Sequence, residues 1–235
     1  MTMKPARLLD QSFYLFMTLL IAAIVLFGFS QTVKQNLIDA EPPRPALLYA
    51  HALIFCGWVA FVIVQSLLVR VRKVRWHRTA GWFGFALGCA VIVVGLWTAV
   101  VMSRFRITHF HGRGAVPNLE LSFYDIGAFA VPFALAILWR KKPESHRRLI
   151  LLATIALTSA AWARFPPGWI PRHWFFAALD LLVLMGVAHD LVVNRRIHRV
   201  YMVGLPAFVV CQCATMYIIL SKLPLGVRIA NAILR

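Results

Sequence analysis

Acidic residues are scarce in this sequence. Eight Asp and Glu stand against 25 Lys and Arg, and charged residues make up 14% of the chain, where a soluble domain carries about a quarter. That shortage excludes an ordinary water-facing surface. Cysteine is sparse too: Cys56, Cys89, Cys211 and Cys213 all sit inside apolar runs, with a single C-x-C as the closest spacing. A zinc knuckle needs a second such pair, so the thiols read as buried small hydrophobes. No H-E-x-x-H occurs, no His pair stands at i, i+4 within an apolar run, and no Ser or Cys sits in a motif with a base. No catalytic motif is present and no metal site is assigned. The last apolar run contains no lysine, since Lys222 lies past its end, which excludes a retinal-type Schiff base.

Long apolar runs, by contrast, fill the chain. Hydrophobic residues make up 61% of it, and its mean hydropathy is +0.75. Crossing the hydrocarbon of a bilayer takes about 20 mostly apolar residues. Seven runs meet or approach that length: Phe13 to Phe29, Ala46 to Val69, Thr79 to Met102, Leu121 to Trp139, Leu149 to Phe165, Trp174 to Val193, and Val200 to Leu220. Lys4 and Arg7 precede the first run as they would a secretory signal, but no small-x-small cleavage site follows it, so it is kept as a helix. The expectation is an all-α fold, a single integral-membrane domain over residues 1–235 built as a bundle of seven transmembrane helices.

The formal net charge of +17 sits mostly in short turns between those runs. In a soluble chain such an excess points to nucleic acid, but here the placement points to topology and anionic headgroups. Of the 25 Lys and Arg, 15 fall on one side: Lys4 and Arg7; Arg70, Arg72, Lys73, Arg75 and Arg78; Arg140, Lys141, Lys142, Arg147 and Arg148; Arg195, Arg196 and Arg199. That side is predicted cytoplasmic, which gives N-in and C-out. Beyond Pro224, Leu225, Ile229 and Ile233 recur at helical spacing and predict a short amphipathic helix on the outer surface.

Ionisable residues inside spans are costly and usually face the bundle interior or a wet cavity. His51, Asp125, Arg164 and Asp180 all fall in the outer half of their spans, and helical angles put Gln212 on the same side of the last as Tyr201, with Tyr217 turned away from them. His51, Trp58 and Gln65, spaced by seven, share one stripe. These residues predict an outward-facing pocket for a small ligand, with Arg164 free to neutralise one Asp. The plainer reading is an Asp125–Arg164 ion pair that fixes helix order. Pro132 and Pro206 are the mid-span prolines, and no broken mid-membrane helix is expected.

A second set lies at the inner ends. His77 and His146 stand at the starts of two parallel helices, and Gly84 and Gly88 lie on the face His77 begins. Two histidines beside a smooth stripe fit a b-type heme and an electron-transfer role. The same Gly84-x-x-x-Gly88 is also a helix-packing motif. A third reading is an accessory subunit of a larger membrane complex, or a homo-oligomer, in which the polar residues serve assembly.

His51 with Trp58 and Gln65, W-H-R-T-A-G-W from Trp76 to Trp82, Asp125, H-R-R-L-I-L-L-A-T from His146 to Thr154, Arg164-Phe-Pro, Asp180 and the basic turn at His198 form a recognisable set. On these residues the chain resembles a widespread family of uncharacterised bacterial multi-pass membrane proteins. The resemblance implies a helical protein of the bacterial inner membrane and carries no activity with it.

Overall fold

The computed structural model describes residues 5–110, 115–171, 174–221 and 232, with the backbone alone for 5–11 and 115–118. Helices α1 (Pro5–Ser30), α2 (Ala46–Arg70), α3 (Val74–His109), α4 (Ala115–Leu138), α5 (Pro143–Ala156), α6 (Ser159–Trp162), α7 (Phe175–Asn194) and α8 (Arg199–Ser221) follow in order, with a π-helical turn at Lys34–Ile38. No strand occurs among the described residues. Six of these helices are long and apolar enough to cross a membrane: α1, α2, α3, α4, α7 and α8. Leu26, Leu53, Trp82 and Leu138 stand out from them by 70% or more of their surface, as side chains that face acyl chains rather than water do. The chain is a multi-pass helical membrane protein. The amphipathic helix expected beyond Pro224 lies outside the described residues.

The fifth apolar run departs from expectation. A continuous helix over Leu149 to Phe165 is replaced by α5, a turn at Leu157–Thr158, and the four-residue α6. The cause is local. The Thr158 N–H bonds the Ile155 carbonyl at 2.9 Å, and the Thr158 hydroxyl donates to that same oxygen at 2.7 Å. Thr154 donates likewise to Ile150. Hydroxyls that bond back to carbonyls a turn earlier compete with the backbone ladder and tighten or bend a helix.

α5 is also the most enclosed element. Pro143 at its start and Glu144 in its first turn suit a helix N-terminus, and every residue from Arg148 to Ala156 except Ile150 is buried. It packs against α1, α4, α7 and α8. A helix that is apolar all round belongs in a protein interior, and here neighbouring helices supply it.

Glycines let helices approach elsewhere. A Cβ on Gly28 of α1 would overlap the backbone carbonyl of Ala161, so α1 and α6 meet almost without side chains between them. Gly84 and Gly88 of α3 are filled from outside by the rings of Phe61 and Phe133. Trp58 packs edge-on against Phe129 and Phe133, and its indole donates to the Thr154 hydroxyl at 3.4 Å. The cysteines correct the expectation of buried thiols: Cys56, Cys211 and Cys213 are exposed on outer helix faces, and Cys89 is half-buried.

Candidate functional site

Polar side chains gather at the two ends of the bundle. The first end holds the C-terminus of α1, the N-terminus of α2, the C-terminus of α3, the start of α4, and the segment after α6. His51, Asp125 and Arg164 come together there, from α2, α4 and the segment after α6, within electrostatic reach of one another through Arg164. Asp125 faces the Ser159 hydroxyl just past the turn that breaks the fifth segment. The Asp125–Arg164 ion pair of the plainer reading does not form. Arg164 donates through Nε to the Thr32 hydroxyl at 3.1 Å and through Nη1 to the Ala160 carbonyl, and it lies 4.4 Å from the Phe29 ring centroid. Buried Asp125 Oδ1, His51 Nδ1 and Ser159 Oγ have no hydrogen-bond partner of good geometry among the described residues. Buried polar atoms without a partner are costly unless something else engages them.

Asp180 and Gln212 belong to a neighbouring pair. The Gln212 amide donates to Asp180 Oδ1 at 3.0 Å, joining α7 to α8. Tyr124 stands beside both of them and next to Asp125 in α4, so it sits between the two groups. Sequence reasoning missed Tyr124 and Ser159, although both adjoin features that it used. Tyr217, 66% exposed, stays outside the cluster.

Arg164 also borders a cavity of about 270 Å³ at this end, whose wall includes Thr32, Trp162, Phe165 and Phe175. Arg106 of α3 acts on Arg164, and Arg44 acts on Arg106 while lying over the rings of Phe105 and Phe110. Three guanidiniums thus influence one another, and Asp125 is the carboxylate acting on Arg164.

At the opposite end the rings of His77 and His146 lie 6.5 Å apart between centroids at 79°. His146 Nδ1 pairs with the Ala136 carbonyl at 2.9 Å. The smooth face beside them is occupied, because Phe61 and Phe133 fill Gly84 and Gly88. Among the described residues no group of three or more His, Cys, Asp or Glu side chains is placed to hold a metal ion.

This end also carries a network that the sequence had hidden. Arg148, 1% exposed, donates to both oxygens of fully buried Asp190, through Nε at 3.2 and 3.0 Å and through Nη2 to Oδ1. Its Nη1 reaches the Glu144 carbonyl at 2.8 Å and carboxylate at 2.7 Å. The Asn194 amide and the His198 backbone N–H complete Asp190, each at 3.1 Å. That last bond requires the chain to reverse after α7, which it does through Arg195 in the left-handed region, φ 56°. Burial and the nearby Arg148 hold the His198 imidazole below its usual pKa of 6.5. Glu144 is pushed up by partial burial, but the Arg148 and Arg147 guanidiniums more than reverse this and keep it below 4.5. A signal existed in Asp190 itself, a carboxylate within an apolar run; Arg148 was disguised as one more basic residue of a turn.

Fold and site define a multi-pass helical membrane protein with a polar centre at each end. No family model, curated protein or solved structure matches the chain.

Proposed function

We propose that this chain is a seven-span protein of the bacterial inner membrane, N-terminus inside, which binds or carries a small ligand in an outward-facing pocket. His51, Asp125 and Arg164 form its centre, and Asp180 and Gln212 its flank. The observation that carries the reading is the interrupted fifth segment. Its turn lies beside Asp125, Ser159 sets a buried hydroxyl against that carboxylate, and Arg164 follows six residues after Thr158. Discontinuous helices near unsatisfied ionisable groups are how membrane proteins commonly build ligand sites. The seventh span is this segment together with α5, enclosed by the other helices. Positive charge in the turns supports the orientation.

Heme-based electron transfer finds less support, since the stripe that would seat a flat macrocycle is filled by Phe61 and Phe133. The test is native mass spectrometry on detergent-purified wild type and Asp125→Ala, with absorption spectra of both. A small molecule retained by wild type and released by the variant, at unchanged helix content, is expected. Equal retention by the two proteins, or a Soret band that accounts for the bound mass, would sink the proposal.

A further inference from the structure

The cavity beside Arg164 has a chemistry of its own. Among the described residues that line it there is no carboxylate. Arg164 spends Nε on Thr32 and Nη1 on Ala160, and Nη2 has no acceptor among the described residues. Trp162 contributes an indole N–H that is buried and meets no acceptor. Arg164 and Trp162 therefore line one space, the indole N–H of Trp162 buried at its edge, backed by the positive field of Arg106 and, behind it, Arg44. The wall is mixed: Thr32 lies on it with Arg164, while Phe165, Ile170 and Phe175 supply apolar surface, and Phe165 in turn packs against Phe27, which stacks on Trp169 at 5.3 Å between centroids and 5° from parallel. A volume of about 270 Å³ is near the lower bound for small-molecule sites.

We infer that this cavity takes an amphiphilic anion, a carboxylate or phosphate carried on an apolar body. Its oxygens would accept from Arg164 and Trp162, and its apolar part would lie against Phe165, Ile170 and Phe175. A neutral ligand leaves Asp125 alone to answer the guanidinium field at Arg164. A cationic one meets repulsion from Arg164 and Arg106. Charge-assisted bonds to a guanidinium are strong in a site shielded from water, and a planar fork suits a two-oxygen anion. Either a free alkyl carboxylate or the phosphate of an anionic phospholipid supplies this chemistry. The inference rests on the outward-pocket reading and names the ligand's charge.

Thermal unfolding of the full chain in a neutral maltoside detergent tests it, with octanoate, octanol and octylammonium as matched probes. Native mass spectrometry from nanodiscs of phosphatidylcholine with or without phosphatidylglycerol forms the second arm. Octanoate raising the melting temperature where octanol and octylammonium do not identifies a free carboxylate. Selective retention of phosphatidylglycerol identifies the lipid phosphate. In either case Arg164→Gln weakens binding about ten- to a hundredfold, and Arg164→Lys recovers part of it. Trp162→Phe weakens it less and keeps the test informative should the arginine variants misfold. Equal stabilisation by octanol, or retention indifferent to Arg164 and Trp162, overturns the anion inference while leaving the pocket intact. No response to any probe in either arm overturns it as well. Failure of the pocket itself shows separately, as Asp125→Ala behaving like wild type.

Discussion

Asp190→Ala isolates the strongest electrostatic element in the bundle. The substitution removes the carboxylate that receives Nε and Nη2 of Arg148, inside a helix interface where Arg148 is 1% exposed. Breaking a buried pair by deleting one partner costs about 3–5 kcal/mol, because the surviving charge is left desolvated. Glu144 remains bonded to Nη1 and its side chain is 56% exposed, so part of the charge stays answered and the lower end, about 3 kcal/mol, is expected. For a chain of this size that lowers the melting temperature by roughly 6–12 °C, at about 2–4 °C per kcal/mol. Intrinsic tryptophan fluorescence during heating in detergent reads it directly. The double replacement Arg148→Met with Asp190→Leu should return to within about 1 kcal/mol of wild type, since apolar isosteres often substitute for buried pairs without loss. The drop should also persist at high salt, because a buried pair is poorly screened. An Asp190→Ala protein that melts within about 1 °C of wild type would refute the reasoning and show the pair to be hydrated.

Two further outcomes are expected. Gly28→Ala should lose about 1–3 kcal/mol, because its methyl meets the Ala161 backbone, while Gly57→Ala, with nothing within 4 Å, should be neutral or stabilising; equal melting temperatures for the two would refute the close approach of α1 and α6. The second concerns pH. The folded protein holds His198 below 6.5, so the stability linked to its neutral form is complete above pH 6.5 and is lost as pH falls through the lower folded value. Glu144 acts in the same sense further down, its contribution present above pH 4.5 and lost as pH drops through its lowered folded value. His198→Asn should therefore flatten the decline in melting temperature between pH 7 and 5 and leave the steeper loss below 4.5; an unaltered slope from 7 to 5 would count against it.

Most of the helices were legible in the sequence because lipid demands long apolar runs. The predicted Ala46–Val69, Trp174–Val193 and Val200–Leu220 differ from the observed ends by a residue, whereas α3 runs from Val74 to His109, past both predicted ends, because Arg75, Arg78, Arg104 and Arg106 extend the helix beyond its apolar stretch. The interruption at Leu157–Thr158 was not legible, since a hydropathy pattern does not register the hydroxyl-to-carbonyl bonds that accompany it. His51, Asp125 and Arg164 could be read as one depth, but depth does not say which helices touch. Asp180 and Gln212 consequently proved to form their own pair beside Tyr124. The Arg148–Asp190 bond escaped for a related reason: its partners are 42 positions apart, and no local pattern joins them.

That separation has a consequence for how the protein is made. When α5 leaves the ribosome its arginine has no buried carboxylate to meet, and α5 is absent from the helices able to enter a bilayer by length and composition. Elongation at about 5–20 residues per second brings Asp190 out about 2–8 seconds after Arg148. The Arg148–Asp190 bond, and with it the packing of α5 against α7, therefore forms only after more than forty further residues have been made.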